Sequence, residues 1–264
     1  MIGTTWLAYF EGNARRDCAP DAGLRAEVPT TLRGPLALSL GRFQLGESAG
    51  GRIHEEMPTH PDPALDDGTR RAVQLYIEEE WRHARELALI IEALGGELQT
   101  AHWTNGAFTA CRRILGLRTK MMTLAIAEVI GIVYYRALAR GVGSRALAVS
   151  LRRIANEESR HLDFQAAFFE HAIQLVPGWL RATYRRLLQA MMFAILAAAL
   201  LVLLLDHGGV LRQANADVRS VVSASWRELS GRRFLQPVLP APSAHGPARR
   251  FRPAAPSTAA PPLA

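Results

Sequence analysis

Two five-residue segments of the sequence, EEWRH and EESRH, repeat one pattern of acidic and basic residues. Each lies in a long stretch whose apolar residues recur at steps of three and four, which predicts a helix. Residues three apart share a helix face, so Glu80 and His83 would present a carboxylate and an imidazole together, as would Glu158 and His161. Both pairs fall on apolar faces. The pattern therefore predicts an all-α fold with metal-ligand side chains directed into its core.

Two further carboxylates lie in helix-patterned, apolar surroundings. Glu128 stands in the run MMTLAIAEVIGIVYY, where Thr123 is the only other clearly polar non-aromatic side chain. Burial of an unpartnered carboxylate costs several kcal/mol or forces its protonation. Glu47 precedes Glu80 by 33 residues, and Glu128 precedes Glu158 by 30. The chain therefore predicts two similar units, each a helix with a lone Glu followed by a helix with Glu-x-x-His.

Other interpretations of these residues stay open at this point. The two Glu-x-x-His pairs could be solvated surface clusters, and Glu128 could be a neutral buried acid. Glu47 could be a solvated helix residue, with Glu55 or Glu56 in its place. His54 is expected to lie beside the ligands or in the core rather than to serve as a seventh ligand.

With four inward carboxylates and two imidazoles, the sequence resembles the ferritin-like di-iron carboxylate superfamily over roughly residues 34 to 207. That superfamily includes acyl-carrier-protein desaturases, bacterial multicomponent monooxygenases, the small subunit of ribonucleotide reductase and arylamine N-oxygenases. The resemblance implies a ferritin-like four-helix bundle with additional C-terminal helices. The metal ligands that it implies are Glu47, Glu80, His83, Glu128, Glu158 and His161.

The resemblance also implies a cofactor and its supporting residues. Two iron ions are expected, with Mn/Fe or Mn/Mn as alternatives. Ligating imidazoles donate their second ring N–H to an acceptor, and the resemblance pairs Glu79 with His161 and Glu157 with His83. His54 and Tyr135 are expected to lie next to the ligands.

Carboxylate and imidazole donors suit iron or manganese better than thiolate-preferring ions. We therefore expect an enzyme, an oxidoreductase that activates dioxygen to hydroxylate, desaturate or N-oxygenate an apolar small-molecule or carrier-bound substrate. An electron-donor protein would be its partner, and Leu87, Ile132 and Phe164 would form an apolar pocket. One alternative is a ferritin-like iron-handling or peroxide-scavenging protein without an organic substrate. Another is a membrane-associated quinone or lipid hydroxylase.

Composition predicts how the 264 residues are organised. We expect an irregular segment over 1–33, one helical domain over 34–232, and a disordered tail rich in Pro and Ala over 233–264. Two cysteines do not form a disulfide framework, and no secretory signal is recognised, so a cytoplasmic location is expected. The net charge of +7 comes without a nucleic-acid-binding motif, so nucleic acid is not an expected partner.

The stretch 187–205 has two possible surroundings. Gln189 is its only polar residue, and as a helix it would be about 28 Å long, close to the thickness of a hydrocarbon core. It could be buried against the bundle or in a homodimer, with residues 208–232 as its cover. Alternatively it contacts or spans a membrane, with arginines before it that would keep the metal domain cytoplasmic.

Overall fold

The computed structural model of the chain describes residues 2–14, 23–103, 106 and 116–232. Within these ranges every regular element is a helix, which confirms the all-α prediction. The predicted tail at 233–264 lies outside the described residues. The α-helices are α1 (Ile2–Asn13), α2 (Leu24–Glu27), α3 (Thr30–Glu47), α4 (Gly51–Glu56), α5 (Asp67–Ala93), α6 (Leu117–Gly141), α7 (Arg145–Gln174), α8 (Gly178–Gln213) and α9 (Val218–Ser230).

The two helices that carry Glu-x-x-His have defined ends. Asp66 caps α5 by accepting a hydrogen bond from the Thr69 backbone N–H at 2.7 Å, and Ser144 caps α7 in the same way. Side-chain caps of this kind satisfy backbone donors that have no partner inside the helix. Beyond α5, Gly95 adopts a φ of +81°, a conformation that favours glycine. Local sequence signals therefore set the ends of the two helices that carry Glu-x-x-His.

Four long helices surround the core. α3 packs along α5, α6 packs along α7, and α5 also contacts α7, so the apolar faces of the two pairs meet. α8 and α9 pack on the outer side of α6. At the end of α6 a Cβ on Gly141 would lie 1.6 Å from the Ala214 carbonyl oxygen, so only glycine permits this approach of α8. The result is a continuous apolar core with both Glu-x-x-His faces directed into it.

The prediction of an irregular segment over 1–33 is wrong for its described residues. Residues 2–13 form α1, which packs along α5, and Phe10 is 1% exposed. The Phe10 ring lies 5.3 Å from the Phe164 ring and 6.3 Å from the Tyr76 ring. Glycines and polar residues interrupt the apolar periodicity of α1. A short helix with so weak a pattern depends on tertiary packing for its stability.

α3 begins before the predicted start of the helical domain at residue 34. It runs from Thr30 to Glu47. A 3₁₀ turn at Ser48–Gly50 then leads into α4. A Cβ on Gly50 would lie 2.6 Å from a methyl carbon of Ile77, so the chain passes very close to α5 here. This turn breaks the helical phase beyond Glu47.

α8 presents an apolar face that the described residues leave open. The helix has 36 residues. Only 28% of its most apolar 18-residue stretch is buried, compared with 83% for the corresponding stretch of α6. Leu187, Leu201 and Leu205 are more than half exposed. α9 covers part of α8, with the Trp226 ring stacked on Phe193 at 4.5 Å. The predicted cover by residues 208–232 is therefore partial. By length and composition, α6 and α8 are both able to cross a membrane.

Candidate metal centre

Both Glu-x-x-His pairs meet in the core between α5 and α7. Glu80, His83, Glu158 and His161 are all buried, and each offers a donor atom within 4.8 Å of the others. Donors lie about 2.0–2.2 Å from a transition-metal ion, so two on opposite sides of it are about 4.0–4.4 Å apart, close to the spread of these four groups. The four groups could therefore hold a metal ion. Their burial excludes the interpretation as solvated surface clusters.

The two imidazoles point their Nδ1 atoms into the cluster. His83 Nδ1 lies 2.9 Å from Glu158 Oε1, and His161 Nδ1 lies 2.7 Å from Glu80 Oε1. Despite these approaches, His83 Nδ1, Glu80 Oε1 and Glu158 Oε1 make no hydrogen bond among the described residues. Buried polar atoms are nearly always satisfied, and exceptions call for an explanation such as an ion. A cation at this point would satisfy all three atoms.

Glu128 joins the same cluster from α6. Its Oε2 lies 4.0 Å from His161 Nδ1, and its Oε1 accepts a hydrogen bond of 2.6 Å from the Tyr76 hydroxyl. Burial, followed by the nearby charges of Glu158 and Glu80, raises the pKa of Glu128 well above its usual value. Without a cation this carboxyl is held protonated, as the neutral-acid interpretation requires. With a cation the same position supplies a ligand.

Glu47 reaches the cluster from the last residue of α3. Tyr135 donates a hydrogen bond of 3.1 Å to Glu47 Oε1. Burial and the charges of Glu80 and Glu158 raise the pKa of the Glu47 carboxyl well above its usual value. The residue as a whole is partly exposed, but its carboxyl faces the pocket that Glu80 and Glu128 also line. Tyr135 thus lies next to a candidate ligand, as expected.

The alternatives to Glu47 lie elsewhere. Glu55 is exposed, and Glu56 forms an ion pair of 2.7 Å with Lys120. The prediction that His54 lies next to the ligands is wrong. Its Nε2 lies 3.2 Å from Glu78 Oε1, and its ring packs 5.1 Å from the Trp81 ring, away from the cluster. His54 does not share the inward face of Glu47, because α3 ends at Glu47 and His54 belongs to α4.

The acids that precede each motif face the outer nitrogens of the histidines. His83 Nε2 donates to Glu157 Oε2 at 2.8 Å. His161 Nε2 lies 3.6 Å from Glu79 Oε1, longer than a hydrogen bond. Arg82 links the two acids, at 2.8 Å from Glu79 and 3.1 Å from Glu157. The structure brings both expected pairs together and holds the His83 pair more closely.

The carboxylates control the charge of both imidazoles. Burial alone would lower the pKa of His83, but Glu158 and Glu157 outweigh it and raise the pKa to about 10. The pKa of His161 is likewise raised well above its usual value, against the effect of burial, by Glu158, Glu79 and Glu80. Protons therefore balance the charge of this cluster without a metal. A bound cation would replace them.

Sequence reasoning missed several residues around the cluster. Asn13 of α1 donates to Glu79 at 2.9 Å, and Gln165 of α7 donates to the Tyr76 hydroxyl at 3.1 Å. The sequence could have indicated Tyr76 and Gln165, since each lies one helical turn from a motif residue on the same helix face. No sequence pattern indicated Asn13, because its position depends on the packing of α1.

A pocket opens beside the cluster, between α3, α6 and α8. Its volume is about 920 Å³, counting the part open to solvent, and Glu47, Glu80 and Glu128 all line it. Its apolar walls include Leu124, Ile130 and Leu203. The prediction that Leu87, Ile132 and Phe164 form the pocket wall is wrong. All three are fully buried in the core, and none of them lines this pocket.

No protein-family model, curated protein or solved structure matches this chain. The donor set, its burial and the adjoining pocket are therefore the basis for a functional proposal.

Proposed function

We propose that the chain is a di-metal carboxylate oxidoreductase in which α3, α5, α6 and α7 form a ferritin-like four-helix bundle. It activates dioxygen to oxidise an apolar organic substrate by hydroxylation, desaturation or N-oxygenation. The observation that carries this proposal is the continuity of the buried Glu and His cluster with an apolar pocket. Three carboxylates of the cluster, Glu47, Glu80 and Glu128, line that pocket.

The donor set fits two ions of a hard or borderline metal. Four ionised carboxylates from Glu47, Glu80, Glu128 and Glu158 would balance the charge of two divalent cations. Oxygen and imidazole donors without a thiolate suit iron or manganese. Such ions would supply the redox chemistry that dioxygen activation requires. Burying the six groups with two cations avoids the cost of isolated charges in the core.

The surrounding side chains orient these ligands. Glu157 accepts the Nε2 proton of His83, which leaves Nδ1 as the lone-pair donor. Tyr76 donates to Glu128 and Tyr135 donates to Glu47, so each lone carboxylate has one oxygen fixed by a phenol. The second oxygen of each remains for a cation. The positions of the donors are therefore set by the protein before a metal binds.

The pocket favours an organic substrate over iron storage. Its polar lining is concentrated at the carboxylates and at Arg42 and His207, with aliphatic side chains such as Leu124, Ile130 and Leu203 between them. Concave sites that combine apolar walls with a few polar groups take small molecules. An iron-handling protein would gain nothing from an apolar cavity beside its ligands.

A second candidate is a membrane-associated hydroxylase of a quinone or lipid. The exposed apolar face of α8 favours it, because that helix also forms one wall of the pocket through Ala199, Val202 and Leu203. A substrate taken from a lipid phase would then reach the metals along α8. The same face would equally be covered in a homodimer.

The test is oxygen uptake by the full-length protein loaded with Fe(II) under anaerobic conditions. On mixing with dioxygen, uptake should stop once the bound ions are oxidised, and a large excess of Fe(II) should not prolong it. Continued uptake with accumulation of ferric mineral would instead identify an iron-handling protein. Glu158→Ala should show no protein-dependent uptake. Uptake by wild type no faster than that of Fe(II) in buffer would overturn the proposal.

Access to the pocket can be tested with a glycine at its edge. A Cβ on Gly46 would meet no atom within 4 Å, and Gly46 lines the pocket. Gly46→Leu should fill part of the pocket and lower substrate turnover while leaving metal content unchanged. Gly34→Leu is the matched control, since Gly34 lies in the same helix with equally open surroundings and away from the pocket.

A further inference from the structure

The pocket beside the metal cluster has a second polar region, formed by Arg42 of α3 and His207 of α8. Among the described residues, neither forms a hydrogen bond or ion pair with a candidate ligand. The Arg42 side chain is 19% exposed, and His207 is 6% exposed. These two polar side chains line the pocket in addition to its carboxylates and Thr123, and the metal centre gives them no role.

A hydrogen-bonded chain fixes His207. Ser39 Oγ lies 2.5 Å from the Tyr134 hydroxyl and 2.7 Å from His207 Nδ1. Tyr134 is fully buried and has no other hydrogen-bond partner among the described residues, so we assign its proton to the bond with Ser39 and the Ser39 proton to the bond with His207 Nδ1. The proton of the neutral imidazole then resides on Nε2. His207 is therefore a hydrogen-bond donor in the wall of the pocket.

The ring of His207 is also held from the side. Phe43 packs 4.9 Å from it and stacks on Tyr134 at 4.3 Å. Burial, with a smaller effect of the Arg42 charge, lowers the pKa of His207 to about 3, so the ring is neutral at physiological pH. Three helices, α3, α6 and α8, thus cooperate to fix one neutral donor.

Arg42 supplies a second donor and a positive charge. One of its terminal nitrogens donates to the Asp206 backbone oxygen, but Arg42 Nε is buried without a hydrogen bond among the described residues. The Asp206 carboxylate also lies close to Arg42, with its Oδ1 3.9 Å from a terminal guanidinium nitrogen. At that distance it offsets part of the charge without using the donors. Arg42 therefore retains the capacity to bind an acceptor.

The two polar regions lie at different heights along the helices. On α6, Tyr134 marks the level of His207 and Glu128 marks the level of the metal cluster, six residues or about 9 Å apart. Ile130 lies between these two levels on α6 and lines the pocket. The other aliphatic lining residues are Leu124, Ala127, Ala199 and Leu203.

We propose that Arg42 and His207 form a head-group subsite, and that the substrate is an apolar molecule with a carboxylate at one end. The planar guanidinium donates to a carboxylate in paired hydrogen bonds, which are stronger than those to neutral acceptors. With its head fixed there, the apolar part of the molecule extends toward Glu80 and Glu128. This inference rests on the proposed function for its catalytic meaning, whereas the binding itself requires no metal.

The test is calorimetric titration of the full-length protein with decanoate, methyl decanoate and decylamine, in metal-free and metal-loaded forms. The metal-free form separates binding at Arg42 from ligation of a metal by the probe. Decanoate should bind about 10- to 100-fold more tightly than its methyl ester, as charge-assisted hydrogen bonds predict. Arg42→Met should abolish this preference. Arg52→Met, which removes a charge from an exposed arginine, should retain it.

A second variant keeps the test decisive if Arg42→Met fails to fold by circular dichroism. Ser39→Ala removes the acceptor for Tyr134 and the donor to His207 without touching the pocket, so it should weaken decanoate binding with little effect on the ester. Ser39→Thr should restore the preference. Equal affinity of wild type for decanoate and its ester would overturn the subsite. An unchanged preference of Arg42→Met for decanoate over its ester would also overturn the subsite. If Arg42→Met is unfolded, the same result in Ser39→Ala would do so.

The two proposals fail separately. A protein that binds two metals but shows no preference for decanoate retains the proposed function and lacks the subsite. A protein that prefers decanoate through Arg42 but binds no metal has the subsite without the proposed function.

Discussion

At the scale of single residues, the two histidines of the cluster differ in how their outer nitrogens are held. Glu157 accepts directly from His83 at 2.8 Å, whereas Glu79 lies 3.6 Å from His161 and also accepts from Asn13. An acceptor at hydrogen-bond distance fixes the ring and strengthens its inner nitrogen as a ligand. His83 should therefore depend on its outer acid more than His161 does.

Glu157→Ala should accordingly weaken metal affinity by roughly 10- to 100-fold, with a smaller loss for Glu79→Ala. Titration with Mn(II), followed by the electron paramagnetic resonance of the free ion, measures this. Glu78→Ala is the matched control, because Glu78 neighbours Glu79 in α5 and pairs with His54 and Arg71 outside the cluster. Wild-type affinity in Glu157→Ala would show that the pairing has no role in binding.

Proton release gives a second prediction at this scale. The pKa of His83 is raised to about 10, so its imidazole is protonated at pH 7 in the metal-free protein. A ligand must lose that proton, so metal binding should release protons and affinity should rise with pH between about 6 and 10. Calorimetry in buffers of different ionisation enthalpy counts the protons. An affinity that is flat between pH 6 and 8 contradicts this account.

Much of the candidate site could be predicted from single residues. The convergence of Glu80, His83, Glu158 and His161 followed from helical periodicity, because a three-residue step leaves little freedom in where a side chain points. His54 could not be placed, since its position depends on the turn after Glu47. That turn follows from a close approach to Ile77 that no local pattern encodes.

At the scale of elements, α1 is the part of the fold that sequence reasoning missed. It covers the cluster from outside: the Phe10 ring lies 5.8 Å from the His161 ring, and Asn13 binds Glu79. The ends of α5, α6 and α7 were predictable from caps and glycines, but α1 has no comparable signal. Its helical form reflects burial against α5 and α7.

Phe10→Ala should therefore destabilise the protein by about 3–5 kcal/mol, the usual cost of removing a fully buried Phe side chain. Urea unfolding of the metal-free protein measures the change as a shift in midpoint. Leu38→Ala serves as the control, because Leu38 is 54% exposed and should change stability little. A change below about 1 kcal/mol in Phe10→Ala would mean that α1 does not pack as described.

The open face of α8 yields the other prediction at this scale. A stable dimer buries about 800 Å² on each partner, and a bare apolar face of that size would aggregate. We predict that the protein sediments as a homodimer without detergent. Leu201→Arg and Leu205→Arg should convert it to a monomer, and Leu175→Arg, at an exposed leucine beyond α7, should not. Association with membranes that resists high salt would instead support insertion of α8.

At the scale of the whole molecule, the two similar units of the chain supply equivalent candidate ligands. One helix of each unit borders the pocket, α3 with Glu47 and α6 with Glu128, and α8 completes the wall. The sequence predicted the candidate ligands because the duplication repeats them. It could not predict the pocket, because part of the wall comes from α8, a helix outside the duplication.

The most direct test of the di-metal cluster is metal content, measured with the optical spectrum of the purified full-length protein before and after reduction and exposure to air. We predict two iron or manganese ions per chain, and the loss of at least one in both Glu158→Ala and His83→Ala. The optical spectrum of an iron-loaded sample should change on reduction and return in air. A protein that binds no such metal, or an unchanged stoichiometry in both variants, would contradict the account.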